Sequence, residues 1–458
     1  MQWRILVIEM TKMAGTAAEK PAVIPIEAYV SEAYARAENE KLWGKVWQTT
    51  CRAEEVPNVG DYVTYDILDE SIIVVRSAPD KISAYYNVCQ HRGRRLTEGC
   101  GQTKRFVCRF HGWSWNLKGE NTFVLDPQDW GKCLTPDNLH LKEVKVDTWG
   151  GWAWINMDPD SESLKDYLEP AVSMLNPFEL EKMRYRWRKW LYFPSNWKVA
   201  LEAFNESYHT DASHPQIARY GSVAYWCRAE HHCAWHGAAG ARDQHVRGGV
   251  AGLGGIRANV DQDPRVAAAE IHSELVDTLD AVTTQTYVRA AKRLVEELPP
   301  GTPADVVGAH LLESAARDDA ARGVVWPKVD PALWAASGHD WHVFPNLVFL
   351  FGLTFALCYR ARPNGYNPDS CIFEVCALER FPEGQEPKTE WEFTPDPTEE
   401  SWRKVLFQDF SNMPYVQKGI KSRGFRGPRP SPVQELSVIH FHRLLAQYMG
   451  TGAPQPLS

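Results

Sequence analysis

The sequence predicts an α+β protein, with a compact all-β unit followed by a larger unit in which helices pack on an antiparallel sheet. Three observations carry this expectation. Between about Val63 and Met157, short β-branched and aromatic runs alternate with Gly, Asp, Pro and Asn. From Leu164 onward, helical spacing alternates with longer strand-like runs. The chain has 458 residues, enough for two or three folded units with sizeable cores.

The first nine residues are partly apolar, but Arg4 and Glu9 interrupt a run already too short for a signal core or a membrane span. The sequence therefore predicts no export and no membrane anchor, with a cytoplasmic location, and Met10 or Met13 could equally be the start. A helical stretch is expected from about Glu27 to Val46, with a Trp-rich end. Strand candidates of the β unit are Tyr62–Tyr65, Ser71–Val75 and Gly151–Ile155. Beyond it, Asn196 to Tyr208 has helical spacing, while Val343–Arg360 and Ser370–Leu378 read as neighbouring strands joined by a Pro/Gly/Asn turn. A glycine-rich stretch, Gly237–Gly255, and a helical one, Ala268–Leu298, form an insertion that covers a pocket or simply decorates the surface. The expected division is 1–45 as an N-terminal helical segment, 46–165 as the β unit, and 166–458 as the mixed unit with an insertion at about 237–335.

Composition narrows the function. Hydrophobic residues at 44% and charged residues at 24% describe an ordinary folded protein and exclude extensive disorder. A net charge of −8 argues against nucleic acid as the main partner. Ten cysteines are too few for a disulfide scaffold, so thiols near histidines become candidate metal ligands.

Two constellations stand out. The first is Cys89-x-His91 and Cys108-x-x-His111, each pair at a strand-to-loop junction and each His closely followed by a glycine, Gly93 or Gly112. Two thiolates and two imidazoles can hold one iron of a [2Fe–2S] pair by sulfur and the other by nitrogen. A structural Cys₂His₂ zinc site is the alternative, although zinc sites typically pair Cys with Cys and His with His. The second constellation is Glu206, Tyr208, His209 and His214. On a helix, Glu206 and His209 would share a face. His209 and His214 are five apart and would diverge by about 140° on an unbroken helix, so the helix must end or distort between them. Pro215 supports a break there. Two imidazoles plus a carboxylate form the facial set of non-heme Fe(II) oxygenases. A third cluster, Cys227, His231, His232, Cys233 and His236, fits no standard metal spacing and is read as core or pocket lining on alternating strand faces.

The wording Cys-x-His-Arg-Gly at Cys89 and Cys-x-x-His-Gly-Trp at Cys108 resembles the Rieske domain of ring-hydroxylating oxygenase alpha subunits. The likeness continues in Asn196-Trp197-Lys198, Glu202 and Glu-x-Tyr-His, and covers about Leu42 to Met449, thinnest over Arg228–Trp334. It implies a Rieske [2Fe–2S] cluster on Cys89, His91, Cys108 and His111. It further implies a helix-grip (START-like) catalytic domain with a mononuclear Fe(II) on His209, His214 and Asp409, the last taken from the family pattern in FQDFSNMPYVQKG. By the same analogy Glu206 bridges His209 to His111 of the partner subunit, with Asn205 and Tyr208 joining the catalytic set. Ala203 stands where many relatives carry asparagine. The resemblance implies O₂ as cosubstrate and a homotrimer, or an α₃β₃ assembly with a beta subunit. Electrons would come from NADH through a ferredoxin or reductase, because the glycines near Gly248–Gly255 make no dinucleotide fingerprint. Nineteen tryptophans favour hydroxylation of an apolar, aromatic or polycyclic substrate. An O- or N-demethylating monooxygenase, a non-catalytic Rieske carrier and a zinc-stabilised binding module are the alternatives.

Overall fold

A computed structural model describes residues 20–220, 223–241 and 262–457. The opening residues and the stretch 242–261, which holds most of the glycine-rich segment, lie outside the described residues. The first helical stretch is not one helix but Glu27–Val30, Glu32–Glu38 and a π-turn, Asn39–Trp43. Ser31 causes the break. Its backbone is extended and its side chain accepts from the Tyr34 amide, so it ends one helix and caps the next.

Seven antiparallel strands form the main sheet of the β unit, in the order Gln48–Arg52, Trp152–Asn156, Glu143–Trp149, Lys81–Tyr86, Glu70–Ala78, Asp61–Ile67 and Cys100–Gln102. A second sheet of three short strands, Arg105–Val107, Ser114–Asn116 and Asn121–Phe123, packs beside it. Ile73, Val75, Tyr85, Phe106, Trp113 and Trp115 fill the core between the two sheets and enclose Cys89 and Cys108.

The second unit is built on an eight-stranded sheet. Its order is Val223–Glu230, Cys233–Ala241, Asp340–Val343, Leu347–Phe351, Phe355–Pro363, Cys371–Glu379, Arg184–Phe193 and Glu392–Phe393, antiparallel except for the last pair. The expected strand over Val343–Arg360 is therefore two strands of a hairpin. It folds at Gly352, whose amide is bonded to the Phe355 carbonyl. Strand periodicity gives the sheet two different faces. Trp235, Trp341, Phe349 and Leu347 join Tyr167 and Leu168 on one side. Val348, Leu357, Tyr359, Phe373 and Val375 face the opposite way, onto Trp402, Val405, Leu406, Phe410 and Met413 of the long helix Glu399–Ile420. The helix held against the sheet is the expected α+β arrangement, and Asp409 lies in its middle.

The insertion folds as the helices Pro264–Thr278, Gln285–Glu297 and Ala304–Ala321. The first two are separated at Asp280 and Val282, both at positive φ. The helix expected over Asn196–Tyr208 is shorter, Trp197–Glu202, with the Asn196 side chain accepting from the Lys198 amide at its start. Glu206 and His209 consequently do not share a helical face; they meet across a turn.

Candidate functional site

The two loops that carry Cys89–Gly93 and Cys108–Gly112 are built alike. The amides of Gly93 and Gly112 each bond back to the carbonyl of the loop's cysteine at 2.9 Å, and each cysteine amide bonds to the residue five further on. Both glycines sit at φ +76. Around Gly93 no atom lies within 4 Å of a built Cβ, so glycine is needed there for its backbone conformation and not for space. Burial pushes the Cys89 thiol up, while the His91 and Arg92 amides aimed at its sulfur pull it back. The His91 and His111 rings are 4.5 Å apart, and His91 stacks on Trp113 at 4.8 Å. Both Nδ1 atoms are buried without a hydrogen-bond partner.

Cys89 pairs with Cys108, and His91 with His111. Four ligands of one tetrahedral zinc would bring their donor atoms close to a single point. Among the described residues, the group of three candidate metal ligands that draws together lies elsewhere. A thiol pair and a separate imidazole pair with unpartnered Nδ1 atoms fit a two-iron cluster.

That other group is His209, His214 and Asp409. Asp409 Oδ1 lies 3.5 Å from His209 Nε2 and 3.0 Å from His214 Nε2. The other nitrogen of each ring is held from behind. His209 Nδ1 meets Glu206 Oε1 at 2.6 Å, and Glu206 Oε2 accepts from the His209 amide at 3.0 Å. His214 Nδ1 meets Gln408 Oε1 at 2.9 Å. An acceptor at Nδ1 fixes the hydrogen there and turns the Nε2 lone pair toward Asp409, the arrangement that metal-binding histidines need. The helix breaks where spacing demanded it: Thr210–Ser213 ends at His214, whose φ −120 and ψ 64 are not helical, and Pro215 starts the next turn.

The charges of the site call for a cation. Burial alone would lower the His209 imidazole, but Glu206, Asp409 and Asp340 outweigh it and raise it to about 9. Two neighbours were not picked out from the sequence. Gln408 is locked to Gln216 by reciprocal amide bonds of 2.7 and 3.2 Å. Asp340 reaches the site through the sheet, with Oδ2 3.4 Å from His236 Nε2, and that nitrogen also meets Ser207 Oγ at 2.9 Å. Only the adjacency of Gln408 to Asp409, and of Gln216 to Pro215, hinted at the first of these.

Of the other expected residues, Asn205 is buried with both amide atoms unpartnered, and its carbonyl accepts from Ser437. Tyr208, in the same turn, is exposed. The Cys227–His236 cluster is dispersed. His231 is exposed, His232 stacks on Tyr167 at 3.8 Å, Cys233 lies in the opposite-face core, and only Cys227 and His236 share the face of Asp340. No helix among the described residues is long and apolar enough to cross a membrane.

The family model "Ring hydroxylating alpha subunit (catalytic domain)" matches residues 178–451, and that of the "Rieske [2Fe-2S] domain" matches residues 46–128. The oxygenase subunit of carnitine monooxygenase from Escherichia coli (strain K12) is 31% identical over 207 residues, spanning 44% of this chain and 55% of that protein. In structure, a quaternary ammonium Rieske monooxygenase in complex with L-carnitine superimposes with a TM-score of 0.61 at 19% identity, covering 94% of this chain and 97% of the other. A naphthalene 1,2-dioxygenase mutant bound to phenanthrene gives 0.60 at 18% identity, covering 96% and 95%. At such identities the structural likenesses speak for the fold alone. Because one family model takes in more than half of the chain and the other adds the cluster domain ahead of it, the chain belongs to the ring-hydroxylating oxygenase alpha subunits and is a Rieske non-heme iron oxygenase, with a [2Fe–2S] cluster and a mononuclear iron.

Proposed function

We propose that this chain is the terminal oxygenase component of a monooxygenase that hydroxylates a C–H bond next to nitrogen in an organic ammonium substrate and so removes an N-alkyl group. The observation that carries the oxygenase role is the convergence of His209 Nε2, His214 Nε2 and Asp409 Oδ1, with both rings held at Nδ1. In this reading those three side chains hold the mononuclear iron, and Cys89, His91, Cys108 and His111 hold the cluster. A ferrous ion held by these three side chains would supply O₂ activation. The chain's own residues do the rest. Glu206 and Gln408 keep the two imidazoles oriented, and the apolar face of Val348, Leu357 and Tyr359 excludes water.

The N-dealkylating alternative displaces the aromatic or polycyclic substrate that composition suggested. Support comes from the carnitine-oxidising relative and from the fate of the aromatics. Trp43, Trp115, Trp154, Trp197, Trp341 and Trp402 are all fully buried in cores and leave little sign of an aromatic substrate. The overall reaction takes O₂, two electrons and two protons and yields a hydroxylated carbon and water; the hydroxylated N-alkyl group then departs as a carbonyl compound. Electrons come from NADH through a reductase or ferredoxin. Glu206 relays them to His209 within a trimer of this chain.

The test is turnover of the holoenzyme with a surrogate reductase, NADH and ¹⁸O₂ on a panel of quaternary ammonium compounds and aromatic hydrocarbons. The reading expects labelled aldehyde and a demethylated amine. Labelled arene diols, with the ammonium compounds untouched, would restore the aromatic substrate.

A further inference from the structure

Across the sheet, Cys227, His236, Asp340, Leu350 and Leu357 stand at one register level on successive strands, so their side chains make a single row on one face. Asp340 is the one acid in this row. It is 2% exposed, and its Oδ1 has no hydrogen-bond partner. Its Oδ2 lies 3.4 Å from His236 Nε2, which already meets Ser207 Oγ at 2.9 Å. Burial, with His339 and His209 nearby, pushes His236 well below the usual histidine range, so the ring is neutral. A neutral imidazole nitrogen carries at most one hydrogen and cannot serve both Ser207 and Asp340.

No Lys or Arg among the described residues lies within ion-pair distance of Asp340, and it is not one of the three metal-competent side chains. Burial and the Glu206 charge push its carboxyl up, against the pull of His209. A buried carboxyl without a partner is costly and is found where a cation, or a hydrogen-bonding occupant, completes it. Here the position fits an occupant of the iron site. Ser207 is two residues from His209, and the charges that act on Asp340 are those of Glu206 and His209. Tyr359 feels both Asp409 and Asp340 and stacks on Phe204 at 3.9 Å, while Tyr225 stands edge-on to His236 at 5.8 Å. A cation brought against this orphaned group would draw it to its carboxylate form and complete it.

We propose that Asp340 is the specificity-determining residue of this oxygenase, receiving the positive nitrogen of an organic ammonium substrate beside His209, His214 and Asp409. This rests on the N-dealkylating reading above and names the residue that selects charge.

The test compares binding of choline and of its uncharged carbon isostere, 3,3-dimethylbutan-1-ol, to the iron-loaded holoenzyme by calorimetry. The parent should bind choline at least tenfold tighter than the isostere. Asp340→Asn should remove that preference while isostere binding, iron per chain and the cluster spectrum stay unchanged. A retained preference in Asp340→Asn overturns the role of Asp340 and leaves the cationic substrate standing. Equal binding of the two probes by the parent overturns the cationic substrate and, with it, this proposal. If Asp340→Asn fails to load iron, Asp340→Glu, which keeps the charge, must still prefer choline at least threefold; equal binding by that iron-loaded variant overturns the proposal.

Discussion

Replacing Gln408 with alanine isolates what holds His214 from what binds the metal. Gln408 Oε1 accepts from His214 Nδ1 at 2.9 Å and from Gln216 Nε2 at 2.7 Å. In Gln408→Ala the His214 ring, with a side chain only 4% exposed, keeps a buried N–H without an acceptor. Such an orphan costs about 1–3 kcal/mol. Loss of a partner behind a metal-bound histidine typically lowers metal affinity about 10–100-fold, or about 1.4–2.7 kcal/mol at 1.36 kcal/mol per decade. The two ranges agree, so Fe(II) affinity should fall by one to two decades. The assay is anaerobic Fe(II) titration against a competing chelator, with the cluster absorbance as a control that the β unit is intact. Gln216→Ala breaks the amide pair but spares the His214 acceptor, and it should cost less. Affinity within twofold of the parent in Gln408→Ala would refute the claim that this amide orients His214.

Asp409→Ala should keep the visible cluster spectrum and lose both mononuclear iron and turnover; retained turnover removes Asp409 from the ligand set. The His209 imidazole, raised from 6.5 to about 9, must lose a proton to take a metal. Apparent Fe(II) affinity should therefore climb with pH by about tenfold per unit up to that value and then level off, and Glu206→Gln should shift the levelling to lower pH. By the same sign, the raised imidazole stabilises the iron-free fold fully below about pH 6.5 and ceases to do so as pH rises through 9, so the iron-free melting temperature should drop over that window. Phe410 packs against Phe193, Phe373 and Trp402 at 5.0–5.6 Å between the long helix and the sheet. Phe410→Ala should cost about 3–5 kcal/mol in chemical denaturation, and a loss under 1 kcal/mol would show that the helix is not anchored there.

The proposed cluster ligands stand out in sequence because each pair lies within a few residues on one loop, where spacing nearly determines geometry. His209 and His214 were legible for a related reason: Pro215 announced the break that lets both rings turn inward. Asp409 was different. It comes from a helix far along the chain, and only the family wording picked it out among 58 acidic residues. Gln408 and Asp340 had no comparable signal, since one acts through a tertiary hydrogen bond and the other through strand register. Periodicity also misjudged lengths. It carried a strand through Gly352 and a helix past Glu202, because the turn bonds that end them involve backbone groups that composition does not reveal. The aromatic substrate was inferred from tryptophans that serve the fold, such as Trp235 and Trp341, stacked at 4.8 Å on the face away from Asp340.

Metal and sulfide analysis of anaerobically reconstituted chain tests the central claim most directly, because a cluster and a lone iron differ in both elements. Three irons and two acid-labile sulfides per chain are expected, with one iron lost selectively in Asp409→Ala. Zinc in place of iron at the cysteines, or two irons per chain with none lost in that variant, would contradict the account.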